Sequence, residues 1–223
     1  MTIEQAPTAA SVPPPVAEVR PVVRSHHGDD VVDGYEWLRA KDDEAVLAHL
    51  RAENAHTEAR TAHLDGLRER IFQEIKGRTL ETDLSVPSRQ GAWWYYGRTV
   101  EGKQYGIQCR APLAAPDDWT PPELSPDLDV PGEQVLLDGN VEAEGHEFFS
   151  LGSFDVSTDG TLLLYGVDTD GDERYTLRIR DLVTGAQLPD EIPGTFAGAV
   201  LSPDGRFVVY TTVDDAWRPD TVW

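Results

Sequence analysis

Two stretches of this chain, 45 residues apart, carry the same turn followed by the same kind of strand. Ser157-Thr158-Asp159-Gly160 runs into Thr161-Leu162-Leu163-Leu164-Tyr165, and Ser202-Pro203-Asp204-Gly205 runs into Arg206-Phe207-Val208-Val209-Tyr210. A period in the forties is that of a propeller blade built from four short strands. Asp-Gly supplies the tight turn between two strands. The near-continuous apolar run after each turn predicts a strand buried on both faces. A further strand is expected from Tyr175 to Arg180, followed by a turn at Thr184-Gly185. The segment around Gly91, Trp94 and Tyr105 has the same hairpin spacing and reads as an earlier, diverged blade. Its strands are expected at Trp93-Trp94-Tyr95-Tyr96 and from Tyr105 to Arg110, joined by a turn at Val100-Glu101-Gly102-Lys103. Two or three blades cannot close a ring, and open sheet edges must be covered or paired. The chain stops at Val222-Trp223, in the middle of a blade, so it is expected to belong to a longer protein.

Ahead of the β region the periodicity is helical. Residues 1–17, rich in Pro and Ala, read as a loose arm. Residues 18–41 mix extended segments with turns at His27-Gly28-Asp29 and Asp33-Gly34, and Tyr35, Trp37 and Leu38 are large residues expected to dock on something. From Asp42 to Lys76 the pattern is that of a helix, with Asp42 as N-cap and Asp43 and Glu44 in the first turn, where the helix dipole favours acids. Leu47, Leu50 and Asn54 share a face, and Leu64, Leu67, Ile71 and Ile75 form an apolar stripe. Gly77 suits the position just past the helix, and Asp65-Gly66 is the point at which the span divides in two. Between the first two β strands and the repeat, residues 111–133 hold Pro112, Pro116, Pro121, Pro122, Pro126 and Pro131. No central strand tolerates that density of proline, so a long surface loop is expected.

Charge narrows the partners. The 223 residues carry 40 acids against 19 Lys and Arg, a formal net charge of −21. Nucleic-acid binding needs cations to release counterions, so it is excluded as a function class. Between Arg110 and Arg174 there is no Lys or Arg, while 16 Asp and Glu occur. That run reads either as a solvated acidic surface or as a field that gathers basic peptides. No apolar run reaches the roughly 20 residues of a membrane span, and the N-terminus lacks a secretory pattern. With Cys109 the only cysteine, no internal disulfide can form and the cytoplasm is the expected compartment.

The search for chemistry returns no catalytic residue, no cofactor-binding residue and no metal ligand. Leu151-Gly152-Ser153-Phe154 is the nearest approach to a nucleophile turn and lacks its second glycine. Of the six histidines, His49, His56 and His63 stand seven residues apart, about 10 Å along a helix, too far for one metal ion. His26, His27 and His146 form no ligand pattern with them. Asp168-Thr169-Asp170-Gly171-Asp172-Glu173 has Gly171 too early for a calcium loop and Ile179 at its twelfth position, so it reads as a hairpin turn. Cys109 lies in an expected strand and reads as a small core residue.

Five stretches, in order, resemble the prolyl oligopeptidase family, and its oligopeptidase B branch most closely. They are His27-Gly28-Asp29 with Asp33-Gly34-Tyr35-Glu36-Trp37-Leu38-Arg39; Leu50-Arg51-Ala52-Glu53-Asn54-Ala55-His56-Thr57; Gly91-Ala92-Trp93-Trp94-Tyr95-Tyr96 with Tyr105; Glu142-Ala143-Glu144-Gly145-His146-Glu147-Phe148-Phe149-Ser150-Leu151-Gly152; and Tyr210-Thr211-Thr212 with Arg218-Pro219 and Val222-Trp223. The resemblance runs from about residue 14 to the end. It implies a mainly β fold with an N-terminal helical arm: a helical segment at 18–80, then an incomplete propeller at 81–223 with two to three blades of a seven-bladed ring. It further implies a C-terminal α/β-hydrolase domain, absent from these residues, that carries the catalytic Ser, Asp and His and against which the helices pack. Such enzymes cleave short peptides, after Arg or Lys in the oligopeptidase B branch, and the propeller excludes folded proteins. The alternatives are cleavage after Pro, or a non-enzymatic β-repeat module that binds basic peptides. On the family reading the apolar stripe of the helix has no partner here, and the chain alone is expected to be poorly soluble or oligomeric.

Overall fold

The computed structural model describes residues 13–125 and 129–223. Residues 1–12 of the expected arm, and Pro126 of the expected loop, lie outside the described residues. The chain divides between Thr79 and Leu80 into two compact units.

The first unit opens with a hairpin of β1 (Val22–His26) and β2 (Asp29–Asp33), turned by His27 and Gly28 at φ 52° and 90°. A short 3-10 turn, Glu36–Arg39, places Trp37, whose indole N–H donates to the Glu18 carbonyl at 2.9 Å. The Arg20 guanidinium lies 4.3 Å from the centre of that ring, so Trp37 docks as expected, whereas Tyr35 stays half exposed. Helix α1 (Glu44–Thr61) is capped by Asp43, which accepts from the Ala45 N–H at 2.7 Å. The cap is thus one residue later than the expected Asp42; both carboxylates are offered by the sequence, and only the extended backbone of Asp43 aims one at the free N–H groups. The division of the helical span falls at a 3-10 turn, Ala62–Leu64, and α2 (Asp65–Lys76) begins at the expected Asp65. Gly77 ends α2 in the right-handed region, φ −66°, so the left-handed exit its glycine permits is not used. Leu64, Leu67, Ile71, Phe72 and Ile75 all remain exposed on α2 and its approach.

The second unit is antiparallel throughout. Its first sheet joins β5 (Trp93–Thr99), β6 (Ile107–Pro112) and β7 (Gln134–Asp138), and two short strands, β3 (Asp83–Leu84) and β4 (Ser88–Gln90), share the free edge of β5. After a single helical turn, α3 (Gly139–Glu142), a four-stranded sheet follows in the order β11-β10-β9-β8. These strands are β8 (Ser150–Val156), β9 (Leu162–Asp168), β10 (Tyr175–Asp181) and β11 (Gln187–Thr195), one complete blade. The third set holds two short ladders, β12 (Val200–Leu201) with β13 (Val208–Val209) and β14 (Thr211–Val213) with β15 (Pro219–Val222). Only Tyr210 separates β13 from β14. The first strands of the second and third sets lie side by side, as at the hub of a ring: Leu201 N–H donates to the Asp155 carboxylate at 2.7 Å.

The two repeat turns share their main hydrogen bonds. Ser157 and Ser202 each donate from Oγ to the aspartate two residues on, Asp159 and Asp204, at 2.7 and 2.6 Å. The same hydroxyls accept from Leu162 N–H at 2.9 Å and Phe207 N–H at 3.0 Å. Gly160 and Gly205 close the turns at φ 74° and 67°, conformations that a side chain would strain. Gly91 takes φ 59° at the matching point of the first sheet.

Strand β9 is buried on both faces, as its apolar run predicts, but the strand after the second turn is not: β13 is only Val208–Val209, and Phe207 and Val209 are exposed, 62% and 42%. Leu163, Tyr165 and Val167 pack with Leu136, Leu137 and Phe149 of the first sheet and the linker after it. Leu164, on the other face, packs with Leu177 and Ala199, backed by Leu201 and Val208 of the third set. Each such side chain stabilises the blade stack by about 1.5–3 kcal/mol. Close approach also demands a small residue at Gly152, where a Cβ would fall 2.3 Å from the Tyr175 ring. The first sheet's outer face carries a separate cluster of Tyr96, Cys109, Ala111 and Val130, with Leu124 packed against it. The proline-rich segment is therefore more than a surface connection: β6 runs on to Pro112, and Leu124 and Val130 of the following loop cover that face. Among the described residues, no helix is long and apolar enough to cross a membrane.

Candidate functional site

None of the groups with chemical potential in the sequence is assembled for catalysis among the described residues. Ser153 is buried on β8, and its hydroxyl accepts from the Gly198 and Ala199 N–H groups at 3.1 Å each, which ties the second blade to the third. Asp168 is buried at the end of β9 and accepts from Asp170, Gly171 and Glu173 N–H groups, each at 2.8 Å. The acidic hexapeptide is thus a carboxylate-capped hairpin turn. His49 sits 3.7 Å from Glu53, and His56 holds a buried Nδ1 with no hydrogen-bond partner. No three His, Cys, Asp or Glu side chains among the described residues converge as a metal site. Cys109 is 1% exposed, and burial together with the nearby Glu133 carboxylate pushes its thiol up to about 11, which makes it a poor nucleophile.

What the fold does assemble is a set of clasps between blades. Arg110 of β6 is 2% exposed. Its guanidinium stacks 3.9 Å from the Trp93 ring centre, donates through Nε to Gln134 at 2.8 Å and through Nη1 to the Gly160 carbonyl at 2.7 Å. It therefore seats the second blade's repeat turn on the first blade. Arg180 of β10 reaches the other way, to the Glu142 carboxylate at 2.8 Å and the Leu136 carbonyl at 3.0 Å. A third cluster holds the proline-rich loop: Arg98 donates through Nε to Glu133 at 3.0 Å, and the Tyr96 hydroxyl bonds to the same carboxylate. Burial and that carboxylate raise the Tyr96 phenol, so it stays protonated as the donor. Arginine suits these positions because its planar fork can serve two acceptors while its face stacks on an aromatic ring. The sequence reading missed Arg110 and Arg180; nothing local marks a β-strand arginine as buried, and the acceptors Gln134, Gly160, Leu136 and Glu142 lie 24, 50, 44 and 38 residues from the arginines that meet them.

The blades have two distinct ends. The turn at Gly91-Ala92, the repeat turns and the loop after β6 open at the far end, where Leu113 N–H meets the Ala92 carbonyl at 3.0 Å. Residues 100–106, the link 139–149 and the turn 169–174 open at the near end. There Tyr105 N–H donates to Asn140 at 3.0 Å, and Glu101 N–H donates to Thr82, just before the first strand, at 3.0 Å. The chain enters the sheets at that near end.

Comparison with known proteins agrees with this architecture. The family described as prolyl oligopeptidase, N-terminal beta-propeller domain, matches residues 14–223. Dipeptidyl aminopeptidase BI of Pseudoxanthomonas mexicana is 38% identical over 95% of this chain and 30% of its own length. Protease 2 of Moraxella lacunata is 32% identical over 94% of this chain and 29% of its own length. The solved oligopeptidase B of Leishmania major superposes with a TM-score of 0.80 at 29% identity, over 96% of this chain and 31% of that one. The chain thus spans under a third of the length of these relatives. By its matched residues and by its blades, the chain belongs to the prolyl oligopeptidase family, as that family's N-terminal β-propeller domain.

Proposed function

We propose that this chain is the front part of a cytoplasmic serine oligopeptidase that cleaves short peptides after Arg or Lys, as in the oligopeptidase B branch. The observation that carries the reading is the superposition on oligopeptidase B over 96% of the chain at a TM-score of 0.80. On this reading the catalytic Ser, Asp and His lie in a C-terminal hydrolase domain, and the residues described here scaffold rather than react. The propeller screens substrates by size, because a ring of blades tied by buried arginines does not part easily for a folded protein. The exposed stripe of α2 packs against the hydrolase domain.

The 38% identity to a dipeptidyl aminopeptidase favours a second reading, in which dipeptides are released from a free amino terminus. The two separate on substrates. The complete protein is incubated with an N-blocked arginyl arylamide and with a dipeptidyl arylamide bearing a free amine, before and after an organophosphate that labels reactive serines. Cleavage of the blocked substrate, abolished by the reagent, supports the first reading. Cleavage of the free-amine substrate alone supports the second, and cleavage of neither, or resistance to the reagent, refutes the serine peptidase assignment.

A further inference from the structure

We infer that Trp217 is a latch residue: it fastens the near-end turn of the third set to the second blade and so limits the size of peptide that the ring admits. Trp217 lies at φ 64°, in the left-handed region, where glycine sits freely and a bulky side chain is strained. Strain of that kind persists only where the surroundings hold the residue in place. Here they do. The turn 214–218 joins β14 to β15 as the turn 169–174 joins β9 to β10. Asp214 accepts from the Ala216 and Arg218 N–H groups at 2.9 Å each and from the Arg218 guanidinium at 2.9 and 2.7 Å. The Trp217 N–H donates to the Asp214 carbonyl at 3.0 Å.

The indole ring is aimed at the second blade. It meets Phe196, which follows β11, edge to face with 6.2 Å between ring centres. The Arg174 guanidinium, just ahead of β10, lies 5.4 Å from the centre of the same ring. Both geometries are attractive. Arg174 closes a turn that is itself fixed on the buried Asp168 carboxylate, so the latch joins two rigid turns. The matching residue of the second blade's turn is Glu173, also left-handed at φ 57° and also followed by an arginine. The third set therefore carries a large ring where its neighbour carries a carboxylate. Every partner of that ring belongs to the second blade or to the link after it, and the second blade is complete. Elsewhere the two are tied at the innermost strands, where Ser153 and Asp155 accept from Gly198, Ala199 and Leu201 N–H groups. Trp217 joins the turns of the strands outside them, so blades that part about the hub part first at this latch. The limit on peptide size rests on the peptidase reading; the latch does not.

The test compares the complete protein with Trp217→Gly, which relieves the backbone strain and removes the ring, and with Arg174→Gln. Amide exchange is read by mass spectrometry. Trp217→Gly is expected to speed exchange at 169–176 and 196–199 about fivefold, and Arg174→Gln about twofold, with the far-end turn 157–162 unchanged. The double variant is expected to exchange no faster than Trp217→Gly, because one contact is removed in both. Unchanged exchange at 169–176 in Trp217→Gly, or additive effects in the double variant, overturns the latch. The kcat/KM for an unstructured peptide of about 40 residues with a single arginine, relative to that for the blocked arginyl arylamide, is expected to rise about threefold in Trp217→Gly. An unchanged ratio overturns the size limit. Failure of the wild-type protein to cleave the arylamide sinks the peptidase reading and with it the size limit, while the exchange rates still decide the latch.

Discussion

Replacing Ile71 and Ile75 by glutamate should have opposite consequences in this chain alone and in the complete protein. Here the two side chains are 47% and 61% exposed. Substitutions at such positions shift stability by no more than about 0.5 kcal/mol, and glutamate is at least as good a helix former as isoleucine. If the hydrolase domain covers α2, the exposed half of each isoleucine is still to be buried, about 1–1.5 kcal/mol per side chain. The double change forfeits that, and it also buries two carboxylates without partners, at roughly 1–3 kcal/mol or more each. The complete protein should therefore lose at least about 4 kcal/mol. Urea unfolding of both forms measures this, and sedimentation of the 223-residue chain should show less self-association in the variant. A complete protein whose urea midpoint does not move would refute the reasoning, because the stripe would then face solvent in the assembled enzyme as it does here.

Three further outcomes follow from the clasps and turns. Arg110→Ala removes both bonds to Gln134 and Gly160 and the stacking on Trp93, and should destabilise by about 3 kcal/mol, with faster amide exchange at 157–162. Arg110→Lys should not restore it, since an ammonium lacks the planar fork; full rescue by lysine would show that charge alone suffices. Ser157→Ala orphans the Leu162 N–H in a buried turn and should cost about 1–3 kcal/mol, while Ser202→Ala, in the more exposed copy, should cost less than about 1 kcal/mol; the reverse order in urea midpoints would contradict the burial argument. Cys109 ionises near 9.0 when unconstrained and at about 11 in the fold, chiefly through burial. Its contribution to stability is full below pH 9 and gone once the pH passes 11, and a thiol reagent at pH 8 should react only as fast as the protein opens. Rapid labelling of the folded protein would disprove the burial of the thiol.

Legibility followed the range of the interactions concerned. The blade repeat could be read because its turn is local: serine, aspartate and glycine within four residues fix the hydrogen bonds. Burial of the strand that follows was not local, since it needs a sheet on either side: β9 has both, whereas Phe207 and Val209 of the second copy stay exposed. The apolar stripe of α2 was equally plain, since helical spacing alone defines it. The N-cap was misplaced by one residue because Asp42 and Asp43 offer the same carboxylate, and backbone direction decides between them. The proline-rich loop was misjudged as surface because proline content excludes a strand but says nothing about Leu124 and Val130 turning inward.

The amino-acid order by itself determined the blade period, the repeat turns, and the helical segment with its exposed stripe. Tertiary structure decided which arginines are buried and which acceptors each one meets, a carboxamide and a backbone carbonyl for Arg110, a carboxylate and a backbone carbonyl for Arg180. Those outcomes depend on contacts between residues tens of positions apart, and such a contact exists only once two sheets have been brought face to face.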